Sequence, residues 1–585
     1  MSCALLNPEA VISVTKSHKV YRVLVLDASS AAGLECIQSL GRFGAHIDAA
    51  AESPNCTAFH SRYVGRRMVQ LPVGRDFAAW IRELDRAADY DLIIPATEIS
   101  LLGILELADS PEFWRKTALP SRSALEIALD KQKTWEHARA LGVPVPPSEL
   151  LNPEMASPPS RFPVVLKPLY SRKMEGESLQ ARQVIIASNK EDRDRALTHE
   201  LAGVPVQQQE YVAGFGVGIE LLFEKGQRRW AFAHERVHEY PLTGGGSSYR
   251  KSIAPPKDLV SAADALLSSL NWHGIAMVEF KMNAGDDFYL MEINPRLWGS
   301  LALAVDAGVD FPVGLLLLAT NQPLPPQPSF KIGYFARNIP RDVKWQLANF
   351  RADHGNPFLL TRHRVLSLLE LLRPLWGRES WDHFDWHDLG VTRAMLAEVA
   401  REATATTRRI VRQRIEAWQA RRRHRALLRR LRRAKTLPRK ILFLCYGNIC
   451  RSPVAERLAA SRLPGLDITS AGFHAIDKRP CSGFIQDMSA GLGINVVDHR
   501  SRQVRAEELD AADLILVMDM QNFMQLKQIS PDAVRRTTFL GLFSKHPILN
   551  LRDPYELPER EAVQTLTQIA ASVDGLCRVL GVATG

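Results

Sequence analysis

A chain of 585 residues is too long for one hydrophobic core and implies several domains. With 46% hydrophobic and 24% charged residues, wholesale disorder is excluded. The net charge of +10 is local: residues 401–440 hold 14 Arg and 2 Lys against Glu402 and Glu416, so the other 545 residues sum to −4, and no nucleic-acid partner is expected.

Met1 to Lys19 lacks the continuous apolar run of a signal peptide. YRVLVLD at 21–27 predicts a buried strand, followed by a small-residue turn (Ala28 to Gly33) and a helix through Leu40. Strands at 46–51 and 91–95 continue an α/β pattern. DASSAAG (27–33) has one glycine and misses the dinucleotide-binding spacing, so it reads as structural support. Ser121 predicts an N-cap for a helix running toward Leu141-Gly142. Strand-like runs then recur at 163–168, 182–187, 204–211, 217–223, 229–234, 275–281 and 287–293, an α+β pattern. Gly299 to Ala319 is apolar, but Asp306 and Asp310 inside it argue against a membrane span. Pro323 to Pro328 closes this block.

Residues 330–436 differ in character. They hold a helix-like apolar run (Val365 to Leu372) and three tryptophans, Trp376, Trp381 and Trp386, which read as core or inter-domain packing. In the Arg-rich segment, Val411, Ile415 and Trp418, then Leu427, Leu428 and Leu431, recur at helical spacing. The first reading is a solvated linker helix; the second is contact with an anionic membrane or other polyanion through 408–433. Pro438 precedes ILFLC (441–445), a strand that opens a fresh domain. Seven scattered cysteines, an odd number without zinc-type pairs, suit a reducing cytoplasm, and a cytoplasmic location is expected. The histidines show no metal-like spacing.

Residues 445–453 read CYGNICRSP. Five residues separate Cys445 from Arg451, enough to wrap backbone N–H groups around one phosphate ahead of a helix N-terminus. Arg451 supplies a bidentate fork, and the positive environment favours a thiolate nucleophile on Cys445. Transfer of a phosphoryl group to sulfur needs an acid for the leaving oxygen, and Asp553, in DPY, is the candidate. These residues, with SAG (470–472), HRSR (499–502) and LILVMD (514–519), resemble the low-molecular-weight protein tyrosine phosphatase family over essentially all of 439–585. The resemblance implies that Asn448, Ser452, Ser470 and His499 support the phosphate loop and that Cys450 guards the nucleophile by a reversible disulfide. It also implies that Tyr555 lines the substrate mouth, where Tyr446 stands at a position that commonly holds a smaller or aliphatic residue. Arsenate reduction on the same loop would need a downstream cysteine pair, and 500–520 contains none.

Residues 278–296 read VEFKMNAGDDFYLMEINPR. Two strands joined by a turn at Asn283 to Asp287 put Glu279 and Glu292 on one side, and with Asn294 they form an oxygen-rich set suited to Mg²⁺ and nucleotide phosphates. Arg296 could clamp a phosphate or carboxylate; Lys167 and Lys131 are placed to meet phosphates. This pattern resembles the ATP-grasp superfamily, in its carboxylate–amine ligase branch related to carbamoyl-phosphate synthetase and biotin carboxylase, over roughly 20–330. The resemblance implies ATP and Mg²⁺, metal ligation by Glu279, Glu292 and Asn294, and phosphate contacts from Lys131 and Lys167. It implies an adenine hinge at QQEYVAG (208–214), with Glu210 and Val212 as contacts, and a substrate-side loop at 238–250 in which Arg250 binds an acyl phosphate or carboxylate. No acid stands clearly at the ribose position, Glu220 being the nearest, and the loop SRKMEG after Lys167 has one glycine.

The fold expected is therefore an α/β and α+β multidomain chain: an N-terminal pre-ATP-grasp domain (1–115), an ATP-grasp domain (116–330), a helical Arg-rich linker (331–437) and a four-stranded parallel-sheet phosphatase domain (438–585). The expected function is a fusion of a carboxylate–amine ligase with a cofactor-free phosphatase acting on a phosphotyrosine protein or small phosphate ester. The alternative is a phosphatase regulated by a non-catalytic ATP-binding sensor.

Overall fold

The computed structural model describes residues 19–151, 161–175, 178–283, 285, 287–356, 358–433, 437–555, 557 and 559–581. The stretch read for a signal peptide (but for Lys19), with Cys3, and Gly176 of the SRKMEG loop lie outside them. The chain forms two compact units, Met1–Ala400 and Arg401–Gly585.

The first unit begins with a four-stranded parallel sheet in the order Val64–Val69, His46–Ala51, Arg22–Leu26, Leu92–Pro95. Its central strands are buried on both faces, Val23, Val25 and Ile47 entering one apolar cluster and Leu24, Leu26 and Ile93 the other. The strand Val64–Val69 was not legible, because Gly65, Arg66 and Arg67 interrupt its apolar pattern at a half-exposed sheet edge. Ser121 does cap a helix, its hydroxyl accepting from the Ala124 N–H at 3.2 Å. That helix stops at Leu129, however, where Asp130 leaves helical geometry and caps a second one, Lys131–Ala140.

A four-stranded antiparallel sheet follows, ordered Ser148–Leu151, Val206–Glu210, Val164–Pro168, Ile185–Ala187. It precedes a seven-stranded sheet whose core strands are Phe288–Asn294, Gly274–Met282, Phe215–Glu224, Gln227–Tyr240 and Gly246–Ile253. The expected boundary at 330 does not divide this sheet. Phe335–Arg337 pairs antiparallel with Gly246–Ile253, and Glu379–Trp381 adds a last parallel strand. Residues 331–388 are thus sheet and flanking helices of the first unit rather than a linker.

The tryptophans expected in packing are instead exposed, 68% for Trp376 and 74% for Trp386. The apolar stretch 299–319 forms two buried helices, Leu301–Ala307 and Phe311–Ala319, bent by 92° at their break. Among the described residues no single helix is long and apolar enough to cross a membrane.

A helix of 45 residues, Leu389–Arg433, carries the chain into the second unit. Its last turns are not a solvated linker: Ala420 and Leu427 are buried in the apolar clusters of that unit, and the His424 ring bonds Thr538 Oγ1 at 3.0 Å. The second unit is a parallel sheet in the order Asp467–Gly472, Lys440–Cys445, Leu514–Val517, Thr537–Phe539. Along its central strand Ile441, Phe443 and Cys445 face one cluster, Leu442 and Leu444 the other. That alternation delivers Cys445 to the carboxyl end of the strand, where ligands of open α/β sheets bind.

Candidate active sites

In the second unit the chain turns from Cys445 through five residues into the helix Arg451–Arg462. Asn448 adopts a left-handed backbone (φ 51°), which points its N–H at Cys445 Sγ, 3.2 Å away. Its side chain fixes the loop from below: Nδ2 donates to Ser452 Oγ and to Ser470 Oγ, each at 2.9 Å. Its Oδ1 accepts from the Arg502 N–H at 3.0 Å, and its carbonyl accepts from His499 Nε2 at 2.8 Å. Burial holds His499 below the ordinary histidine range, consistent with a neutral donor there. Ser452 Oγ lies 3.0 Å from Cys445 Sγ. Gly472 is required by packing, since a Cβ there would stand 2.7 Å from the Tyr446 carbonyl oxygen and 2.9 Å from Asn448 Cβ.

Arg451 is 3% exposed and spans two carboxylates, Nη1 on Asp519 at 2.6 Å and Nη2 on Asp553 at 2.5 Å. Nη1 also donates to the Leu551 carbonyl at 2.9 Å. Burial works against its charge, but Cys445, Asp553 and Asp519 more than offset that and raise its pKa. Asp553 therefore stands beside the loop with its side chain part-exposed, and the rings of Tyr446 and Tyr555 are open to solvent. Cys450 and Cys481 are buried in the same apolar cluster as Cys445, and burial pushes the Cys450 thiol far up and that of Cys481 to about 11. Sequence reasoning assigned no role to Asp519, to Arg479, whose Nη2 donates to the Gly447 carbonyl at 2.8 Å, or to Glu456, which accepts from Ser470 Oγ at 2.5 Å. Asp519 alone lay inside a quoted motif.

In the first unit a cleft of about 740 Å³ is lined by Lys131, Lys167, Glu210, Val212, Glu279, Glu292 and Arg296, among others. Glu279 and Glu292 are direct cross-strand partners, and Asn294 Nδ2 donates to both, at 3.2 and 3.0 Å. Lys131 reaches Ser171 Oγ at 2.7 Å. Desolvation lowers Lys167 to about 8, against the pull of Glu292.

Arg250 is not part of this cleft. It is fully buried, with Nη2 on Asp382 Oδ1 at 2.5 Å, and serves as an internal ion pair. Three further cationic side chains line the cleft, Arg236, Lys281 and Arg341, none singled out in the sequence. Arg236 is the register partner of Arg250 on the neighbouring strand and pairs with Glu279 at 2.5 Å. Arg341, from the helix Ile339–Arg351, donates to the Tyr240 carbonyl at 2.8 Å. Glu220 is no ribose ligand: it is fully buried against Ser300 Oγ (3.1 Å) and His234 (2.9 Å).

A buried cysteine at a strand end, under a backbone N–H and beside an arginine that enters the next helix, defines a cysteine-dependent phosphatase centre. Residues 440–583 match the family model "Low molecular weight phosphotyrosine protein phosphatase". The chain is 37% identical over 115 residues to the low molecular weight protein-tyrosine-phosphatase Etp of Escherichia coli K12, covering 20% of this chain and 76% of Etp. It is 33% identical over 134 residues to the probable low molecular weight protein-tyrosine-phosphatase EpsP of Ralstonia nicotianae, covering 23% and 90%. Through this region the chain belongs to the low molecular weight phosphotyrosine protein phosphatase family. Residues 208–338 match a second model, "ATP-grasp in the biosynthetic pathway with Ter operon". A solved N5-carboxyaminoimidazole synthetase from Staphylococcus aureus aligns with 53% of this chain and 81% of its own, at 16% identity and a TM-score of 0.43. The chain therefore joins a region that matches an ATP-grasp family model to a low molecular weight phosphotyrosine protein phosphatase domain.

Proposed function

We propose that the second unit hydrolyses phosphotyrosine or another aryl phosphate monoester through phosphocysteine on Cys445. The observation that carries this reading is the convergence of the Asn448 N–H and Ser452 Oγ on Cys445 Sγ while Arg451 holds Asp553. The sulfur attacks phosphorus as a thiolate, the ester P–O bond breaks, and Asp553, once protonated, gives its proton to the departing oxygen. Loop N–H groups and Arg451 stabilise the equatorial oxygens. Asp553 then takes a proton from the water that attacks phosphorus, which releases phosphate and restores the thiolate. Cys450 would guard Cys445 by forming a reversible disulfide with it under oxidation.

For the first unit the reading is ATP-dependent joining of a small carboxylate to an amine. The acid cluster suits Mg²⁺: two carboxylates face each other across paired strands and share an amide, an oxygen-donor set that a hard cation takes. Bound there, the ion would supply charge neutralisation between the nucleotide phosphates. Lys131 and Lys167 would bind those phosphates, Glu210 and Val212 the adenine, and Arg296, Arg236 and Arg341 would orient the carboxylate. The intact acid pair supports the ligase reading over the sensor. The location that fits both halves is the cytoplasm.

The test uses the Cys445→Ser protein, with the phosphatase silent, and follows ADP formation from Mg-ATP with pooled amino acids and small carboxylates. ADP that depends on the pool and disappears in Glu292→Ala supports a ligase. ATP binding without ADP formation from any pool supports the sensor.

A further inference from the structure

Two neighbouring helical segments of the first unit are inverted, with polar residues inward and apolar residues in solvent. On Ile339–Arg351, Asp342, Trp345 and Asn349 face inward, while Val343, Leu347 and Phe350 form an outer stripe, 40–53% exposed. On Arg364–Leu369 and the 3₁₀ turns Glu370–Trp376, the inward residues are Ser367 and Glu370. Ser367 is fully buried and its carbonyl accepts from Gln346; Glu370 holds His238 Nε2 at 2.9 Å. The outward residues are leucines: Leu366, Leu369 and Leu372 are 48–59% exposed and Leu375 is 79% exposed. Trp376 follows at 68% and Trp386 at 74%. So many exposed large apolar side chains on two neighbouring segments are uncommon on a folded domain and mark an interaction site.

Its charges select the partner. Arg351, Arg362, Arg364 and Arg378 are exposed along these segments. The acids of the same segments are turned away: Asp342 and Glu379 are bound by Arg337, and Glu370 by His238, leaving Asp353 as the exposed one. Leucines with tryptophans at their edge and arginines around them match the interface of an anionic bilayer, where apolar side chains enter the acyl boundary and aromatic rings sit at headgroup level.

We infer that the surface built from residues 343–386 docks the first unit on an anionic lipid leaflet, as a peripheral rather than a spanning contact.

The experiment is co-sedimentation of the full chain with phosphatidylglycerol–phosphatidylcholine vesicles and with phosphatidylcholine vesicles. Wild type is compared with Leu366→Gln/Leu369→Gln/Leu372→Gln, with Arg362→Glu/Arg364→Glu, and with Val411→Gln/Ile415→Gln on the basic helix. These side chains are exposed, and unchanged aryl phosphatase activity and melting temperature verify folding. The inference requires binding to the anionic vesicles, weakened by salt, and a loss of about tenfold or more in each of the first two variants. It is overturned if wild type ignores both vesicles, or if only the basic-helix variant loses binding. It is equally overturned if the leucine variant instead dissociates a dimer, which would make the surface an interface between copies of this chain.

Discussion

Arg451 and Asp553 are joined by a 2.5 Å ion pair that crosses from the first turn of a helix to a loop 102 residues later. The pair ties a part-exposed loop to the buried arginine that opens the helix after Cys445.

Replacing Asp553 with Asn keeps the side chain's size and removes the transferable proton. The expected outcome is a fall in kcat/KM of about 10²–10³ for alkyl or phenyl phosphates and a much smaller one for p-nitrophenyl phosphate, whose leaving group needs no acid. A series of leaving-group pKa values, plotted against log kcat/KM, checks this through a steeper slope in the variant.

Asn448→Ala removes two side-chain donors that hold Ser452 and Ser470, and it leaves a non-glycine residue at φ 51°. Loss of about 1–3 kcal/mol of stability is expected, with kcat down more than tenfold and the fold intact. Asn448→Gly relieves the backbone and not the bonds, so it should recover stability in part and little activity. Chemical denaturation beside kinetics separates the two.

Lys167, lowered to about 8 by desolvation, is half-neutral near that pH when the cleft is empty. A nucleotide phosphate would restore its charge. ATP binding at pH 8 should therefore take up about half a proton, declining below pH 7 where the lysine is already charged. Titration calorimetry in two buffers of different ionisation enthalpy measures this uptake, and Lys167→Met should abolish it. The sign for folding is separate. The unfolded state binds this proton up to a higher pH than the folded state, so the lysine's burial cost is full below about 8 and is relieved as pH rises toward 10.5.

Arg250→Met leaves Asp382 buried without its cation. About 3–5 kcal/mol of stability should be lost, seen as a lower melting temperature, while ATP affinity of the folded fraction stays unchanged. Arg341→Met reverses the pattern, with stability kept and the KM for the carboxylate raised.

This contrast shows what the sequence could carry. The phosphate loop was legible because Cys445 and Arg451 are separated by five residues between a strand and a helix start, while the supporting roles of Asn448 and Ser452 came from the family resemblance. Glu279, Glu292 and Asn294 were legible for the same reason, being on adjacent strands of one hairpin. Arg250 was misread because strand membership does not reveal burial: its guanidinium is closed off in an ion pair with Asp382, which comes from 132 residues further along the chain. Asp519, Arg479 and Arg341 reach their sites through tertiary packing, with no local pattern to mark them. The apolar run 365–372 was read as helix-like, correctly for 365–369, but hydrophobicity could not say that its leucines face outward. The strand Glu379–Trp381, three residues long, carries no period at all.

The phosphocysteine on Cys445 is the centre of the account, and trapping it is the most direct measurement. Asp553→Asn protein, mixed with p-nitrophenyl phosphate and quenched in acid within the first turnovers, is digested and its peptides are weighed. The account predicts a phosphoryl group on the peptide that contains Cys445, and neither adduct nor turnover in Cys445→Ser. Turnover that survives Cys445→Ser, or a phosphoryl group on another residue, would contradict it.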